Sequence, residues 1–115
     1  MPASAAYLAA ELREWPSKDH MASILRAAGL RISVGQYSIR LDDFSHFVFA
    51  EYGGDLGEPC IEADASSPEA LALEVQRVSS ALSQASVVHR FEIYSEDGGE
   101  IRHYFHHAWP QSNVA

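Results

Sequence analysis

Apolar side chains recur along this chain at two different spacings, and the change from one to the other divides it into elements. Leu8, Leu12 and Trp15 fall at helical spacing with Tyr7 and Glu11 beside them, Ser4 is available as a cap and Pro16 as a stop, so the pattern predicts a first helix. Ser17 restarts the chain. A second helix is expected over Lys18 to Ala28, with Met21, Ile24, Leu25 and Ala28 on one side and Gly29 suited to the left-handed residue after its end. From Leu30 the period falls to two. Ile32 and Val34, then Tyr37, Ile39 and Leu41, alternate with Ser38, Arg40 and Asp42, and Gly35 breaks the phase as a bulge within one strand would. After an Asp42-Asp43 turn, His46 to Tyr52 reads as a strand that is apolar on both faces, Phe47 and Phe49 on one and Val48 and Ala50 on the other.

Gly53 to Pro59 reads as a loop, and a short strand follows in which Ile61 and Ala63 oppose Cys60, Glu62 and Asp64. Ser67-Pro68-Glu69 combines a capping serine, a proline at the first helical position and an acid in the first turn. The helix it opens should run to about Gln84, burying Leu71, Val75, Val78 and Leu82 across a sheet. Val87 to Tyr94 and Glu100 to His107 flank Glu96-Asp97-Gly98-Gly99 and form a hairpin. A three-residue loop, Glu96-Asp97-Gly98, sets Ile93 against Ile101, Glu92 against Arg102, Phe91 against His103, Arg90 against Tyr104 and His89 against Phe105. One face then carries Phe91, Ile93, Ile101 and Phe105, and the other a Glu92 to Arg102 ion pair and an Arg90 to Tyr104 stacking pair.

The expected order is α-α-β-β-β-α-β-β, an α+β domain spanning residues 1–115 with a five-stranded, mainly antiparallel sheet, helices packed on one face and residues 108–115 as a tail. A right-handed crossover from the third strand through the third helix would make the sheet mixed. Length fits a single core: 115 residues, 47% hydrophobic and 21% charged, bury about two-thirds of the unfolded surface. The lone cysteine, Cys60, forms no internal disulfide, and no stretch approaches the ~20 apolar residues of a membrane span. A reducing, cytoplasmic setting without membrane contact is the expectation.

Charge changes the picture most. From Leu41 to Gln76 there are nine acids (Asp42, Asp43, Glu51, Asp55, Glu58, Glu62, Asp64, Glu69 and Glu74) and no lysine or arginine, so this window holds more than the whole net charge of −8. Such a surface repels nucleic acid and attracts cations. Asp42 and Asp43 suit a turn, Glu69 complements a helix dipole, and Glu74 can pair with Arg77 three residues on. Glu51, Asp55, Glu58, Glu62 and Asp64 have no such local reason, and with Phe47, Phe49 and Tyr52 they form a candidate surface for a cationic protein partner.

Candidate chemistry is thinner. His89, His103 and His107, with Glu92, are the one cluster that a small ligand-binding or enzymatic site would use, yet His103 and His107 lie about 13 Å apart along a strand, too far to share a zinc ion. No cofactor or metal is implied. Glu58 and Glu62 would raise the Cys60 thiol, which reads as a small buried strand residue, and Gly53-Gly54-Asp55-Leu56-Gly57 lacks the Gly-Lys-Ser/Thr of a phosphate loop. A third reading makes the sheet face that the helices leave bare a homodimer surface. The size, the acidity, the single lysine (Lys18) and the α+β layout resemble the antidotes that bacteria make against their own toxins. That resemblance implies a non-enzymatic protein whose acidic face docks on a basic toxin.

Overall fold

The computed structural model describes residues 5–52 and 58–109. In chain order the elements are β1 (Ala6–Leu12), α1 (Lys18–Ala27), β2 (Ile32–Val34), β3 (Ile39–Leu41), β4 (Phe47–Ala50), β5 (Cys60–Ala65), α2 (Pro68–Gln84), β6 (His89–Ser95) and β7 (Ile101–His107). The class is α+β as expected, but the sheet has seven strands where the pattern predicted five, in the order β2-β3-β4-β5-β1-β6-β7. Every neighbouring pair is antiparallel. The crossover from β5 through α2 to β6 does join two strands of the same direction, but β1 lies between them and runs against both. A sheet mixed in direction is thereby avoided.

The largest correction concerns β1, expected as a helix. Ala6, Leu8 and Leu12 are buried while Tyr7, Ala9 and Glu11 are exposed, an alternation of period two. Leu8 and Leu12 are four apart, which places them on one side of a helix and equally on one side of a strand. Tertiary context decided between the two, because β1 fills the slot between β5 and β6 and gains a ladder on each side. Ser4, read as that helix's cap, lies outside the described residues.

The second correction is that Ile32 to Leu41 is a hairpin and not one bulged strand. Gly35 N–H donates to the Ser38 carbonyl at 2.9 Å and closes a turn between β2 and β3. Gly35 is suited to that turn, since a Cβ there would lie 2.8 Å from Ser38 Oγ. The predicted α1 and α2 stand. Ser17 and Ser67 cap them through His20 N–H and Ala70 N–H, and Gly29 takes φ +83° after α1. Ala28, placed in the apolar stripe of α1, is exposed at its end.

The hairpin of β6 and β7 forms with a different register. Phe91 meets Phe105, Glu92 meets Tyr104, Arg90 meets His106 and His89 meets His107, two residues along from the expected pairs. Residues 96–100 separate the strands, and the left-handed position is taken by Gly99. A shift of two keeps each face. An irregularity between Ile93 and Tyr94 then sets Ile101 against Tyr94 on the other side, so Ile101 leaves the apolar face on which it was expected. Arg102 comes within 3.7 Å of Glu69 and does not pair with Glu92.

Both helices cover one face of the sheet. Leu71, Val75, Val78 and Leu82 of α2 and Met21 and Leu25 of α1 are fully buried with Ile39, Phe47, Phe49, Phe91 and Ile93 beneath them. No described helix lies on the remaining face. Ala108 takes φ 53°, and Trp109 turns back so that its ring lies 4.9 Å from the Arg90 guanidinium. Residues 110–115 of the expected tail are outside the described residues, and no described helix is long and apolar enough to cross a membrane.

Candidate functional site

The uncovered face follows from strand phase. Since Ala6 and Leu8 point into the core, Tyr7, Ala9 and Glu11 of β1 point away from it, as do Glu62 and Asp64 of β5 opposite buried Ile61 and Ala63. Arg40 of β3, Val48 and Ala50 of β4, Cys60 of β5, Arg90, Glu92 and Tyr94 of β6, and Tyr104 and His106 of β7 share the face. Register then sets the neighbours. Tyr7 stands between Asp64 and Tyr94, Tyr94 meets Ile101, Glu92 lies between Ala9 and Tyr104, and Val48 meets Glu62.

Tyr7 and Tyr94 stack with ring centroids 5.4 Å apart and planes 13° from parallel. Tyr94 O–H donates to Glu92 Oε1 at 3.2 Å, and partial burial followed by that carboxylate pushes the phenol up. Tyr104 packs on His106 at 5.2 Å. On the acidic side Asp64 Oδ2 lies 2.8 Å from His46 Nδ1, and Arg90 is held between the Glu11 carboxylate and the Trp109 ring. Tyr7, Ile101 and Tyr104 remain 42–49% exposed, so apolar surface and carboxylates lie side by side in water.

Among the residues proposed from sequence for partner binding, Glu62 and Asp64 lie on this face. Glu51 and Glu58 are exposed near the shared end of β4 and β5, and Asp55 lies outside the described residues. The three aromatic residues assigned to the same surface are not on it. Phe47 and Phe49 are fully buried on the helix side of β4, and Tyr52 is buried with its O–H donating to the Pro16 carbonyl, its phenol pushed up to about 12 by burial. An apolar run on both faces of β4 hid which pair was core. Glu74 also departs from expectation: its Oε2 accepts from Ser45 N–H at 2.8 Å and Ser45 Oγ at 3.1 Å, while Arg77 lies over the Phe44 ring.

The histidine cluster is taken apart by the fold. His89 is fully buried, with Nδ1 2.9 Å from the Val87 carbonyl and Nε2 2.7 Å from Ser79 Oγ, so both ring nitrogens are occupied. His107 stacks over it at 6.4 Å, His103 Nε2 lies 3.7 Å from Glu69, and Glu92 is on the opposite face of the sheet. No group of three or more potential metal ligands converges among the described residues. Cys60 is exposed and not buried. Its thiol is pushed up by partial loss of water around the sulfur and by Glu62 and Glu51, which keeps it protonated and poorly nucleophilic.

Sequence reading missed Tyr7, Tyr94 and Trp109 as surface aromatics, and it paired Tyr104 with Arg90, which instead meets Glu11 and Trp109. Tyr7, Ala9 and Glu11 alternating with Ala6, Leu8 and Leu12 carried that signal, and assigning a helix there concealed it. It also missed a cleft of about 500 Å³ at one end of the fold, where Trp15, Pro16, Val87 and Val88 form apolar walls and Arg13, Glu14 and His20 a charged rim. Comparisons with protein-family models, with curated proteins and with solved structures find no match for this chain.

Proposed function

We propose that this chain is a non-enzymatic binding module that docks a cationic protein partner on the uncovered sheet face, through Glu62, Asp64, Tyr7 and Tyr94. One observation carries the reading: Tyr7 stands in register between Asp64 and Tyr94, which places an exposed, stacked ring beside a carboxylate. An arginine or lysine of the partner would meet a π-face and an anion together, a cation–π contact worth about 0.5–2 kcal/mol depending on how much water it loses. Stacking limits the rotamers of both rings, so little conformational freedom is left to lose on binding. The excess of acids, a net charge of −8, speeds the approach of a basic protein and disfavours nucleic acid. An antidote that neutralises a basic toxin is one protein of this kind.

Titration with a nine-residue polyarginine peptide, followed by NMR, tests the reading. Shifts should concentrate on Tyr7, Glu62, Asp64 and Tyr94, and the apparent affinity should fall steeply as salt rises past the point where the screening length drops below about 10 Å. Shifts spread over α1 and α2, or an affinity indifferent to salt, would remove this face from consideration.

A further inference from the structure

The two rims of the sheet differ. β2 is three residues long, and the turn after it is tethered by Lys18, whose Nζ donates to the Gly35 and Gln36 carbonyls at 2.7 Å each. β7 is seven residues long, and no described strand pairs with its outer side. Long bare edges are templates for another strand, and soluble proteins usually blunt them with charge, proline or brevity.

Which groups of β7 face outward follows from the ladders. In an antiparallel pair, each residue exchanges its backbone hydrogen bonds with one neighbouring strand, and the next residue with the other. Arg13 N–H donates to the Val88 carbonyl at 3.1 Å and Glu96 N–H to the Ala5 carbonyl at 2.9 Å, so the even-numbered residues of β6 turn their backbone to β1. His89, Phe91 and Ile93 therefore bond to His107, Phe105 and His103 of β7. The N–H and C=O groups of Tyr104 and His106 therefore point away from the sheet, while Arg102 sits in the irregularity opposite Ile93 and Tyr94.

We propose that β7 pairs antiparallel with β7 of a second copy about a twofold axis at Tyr104, joining two seven-stranded sheets edge to edge. Tyr104 meets its own counterpart, Arg102 meets His106 of the partner subunit, and His103 meets Phe105 of the partner subunit. The outward N–H and C=O groups of Tyr104 in one copy bond those of Tyr104 in the other. Tyr104, 42% exposed on the open face, gains an aromatic cross-strand neighbour, and half-buried Phe105 gains cover beyond the reach of α2. Charge permits this edge: two chains of net charge −8 repel, yet β7 contains no acid, and its one arginine lies 3.7 Å from Glu69. The left-handed turn at Ala108 leads Trp109 onto Arg90 and so away from the edge. Pairing by edges leaves the acidic face open on both copies, so this inference and the proposed partner docking fail independently.

Sedimentation equilibrium between about 1 and 200 µM at pH 8 should show a reversible monomer and dimer with a micromolar constant, since one strand edge buries less than a standard interface. Tyr104→Pro and His106→Pro each remove an outward backbone N–H together with an exposed ring, which an edge strand tolerates, and should be monomeric with unchanged far-UV circular dichroism. Val34→Pro is the control. The bonds of Asp42 N–H to the Arg31 carbonyl and Gly35 N–H to the Ser38 carbonyl leave Val34 pointing outward at the opposite rim, so this variant should still dimerise. In the wild type, the Tyr104 and His106 amides should exchange at least about tenfold more slowly at high concentration. A chain that stays monomeric throughout overturns the inference. So does a dimer whose β7 amides exchange at the monomer rate, and that measurement decides the matter even if a proline variant fails to fold.

Discussion

His89 Nε2 lies 2.7 Å from Ser79 Oγ in the buried seam between β6 and α2. The Val87 carbonyl can only accept, so Nδ1 carries the proton and Nε2 accepts from the serine hydroxyl: the ring is neutral and fully bonded. Burial pushes the imidazole below its ordinary value, the Val87 bond partly opposes this, and His107 and His106 add to the lowering. A base whose folded pKa lies below its unfolded value of about 6.5 is protonated first in the unfolded chain. Stability should therefore hold above pH 7, fall as pH drops through about 6.5, and level off once the folded ring also protonates. Thermal unfolding from pH 8 to 5 would show this decline in the wild type and a smaller one in the Ser79→Ala/His89→Phe double variant. Equal declines in the two would exonerate His89. At pH 7.5, Ser79→Ala alone should cost about 1–3 kcal/mol, because Nε2 is then a buried acceptor without a donor.

His89 also marks how far the sequence could be read. A histidine on a strand near two others in sequence looks like a candidate ligand, and only the third dimension supplies Ser79, ten residues away on a helix. Elements specified by local chemistry were legible: Ser67-Pro68 opens α2, and Leu71, Val75, Val78 and Leu82 line its buried side. So was the phase of β5, where Ile61 and Ala63 oppose Glu62 and Asp64. Elements specified by their neighbours were not. The Ala-rich segment Ala5 to Ala10 is helix-prone by propensity, and it is a strand because β5 and β6 flank it. The β6–β7 register was equally non-local, since a longer loop moves the pairs from His89 to Ile93 by two and conserves their faces, while the irregularity at Tyr94 turns Ile101 over.

The two helix ends use the same hydrogen bonds with different residues. After α1, Leu30 N–H donates to the Leu25 carbonyl at 3.1 Å and Gly29 N–H to Arg26 at 2.9 Å, with Gly29 at φ +83°. After α2, Val87 N–H donates to Leu82 at 2.9 Å and Ser86 N–H to Ser83 at 3.0 Å, with Ser86 at φ 59°. A side chain in the left-handed region costs about 1–2 kcal/mol, part of which glycine loses again through its freer unfolded state. Ser86→Gly should thus stabilise the protein by about 0.5–1 kcal/mol in urea unfolding, and Gly29→Ala should destabilise it by a similar amount. A stabilising Gly29→Ala would mean that the end of α1 relaxes.

Glu74 ties the Asp42–His46 turn to α2 through Ser45 N–H and Oγ. Its second oxygen, Oε1, is buried without a partner among the described residues. Removing the carboxylate leaves Ser45 N–H to find water, so Glu74→Ala should cost about 1–2 kcal/mol, with faster amide exchange at Ser45 and little change on β6. Glu74→Gln keeps a carbonyl acceptor and should recover most of that loss. The pair of variants distinguishes hydrogen bonding from charge, because only the charge is absent from glutamine.

Phe49 and Tyr7 form a sharper contrast, since both are aromatic strand residues and the fold gives them opposite duties. Phe49 is fully buried, in edge contact with Trp15 and tilted against Phe47, while Tyr7 is 43% exposed on the face that no described helix covers. Phe49→Ala leaves a cavity in a closely packed core and should cost about 3–5 kcal/mol. Tyr7→Ala removes a surface stacking partner and should cost under about 1.5 kcal/mol. Binding of the polyarginine probe should follow the reverse order. Tyr7→Ala loses the ring beside Asp64 and should weaken binding several-fold, Tyr7→Phe keeps the π-face and should bind nearly as the wild type does, and Phe49→Ala should bind normally at temperatures where it remains folded. Asp64→Asn separates the charge from the ring: it should reduce both the affinity and its dependence on salt, whereas Tyr7→Ala should reduce the affinity alone. If Tyr7→Ala and Asp64→Asn change nothing while Phe49→Ala abolishes binding even when folded, the partner surface lies on the helix side.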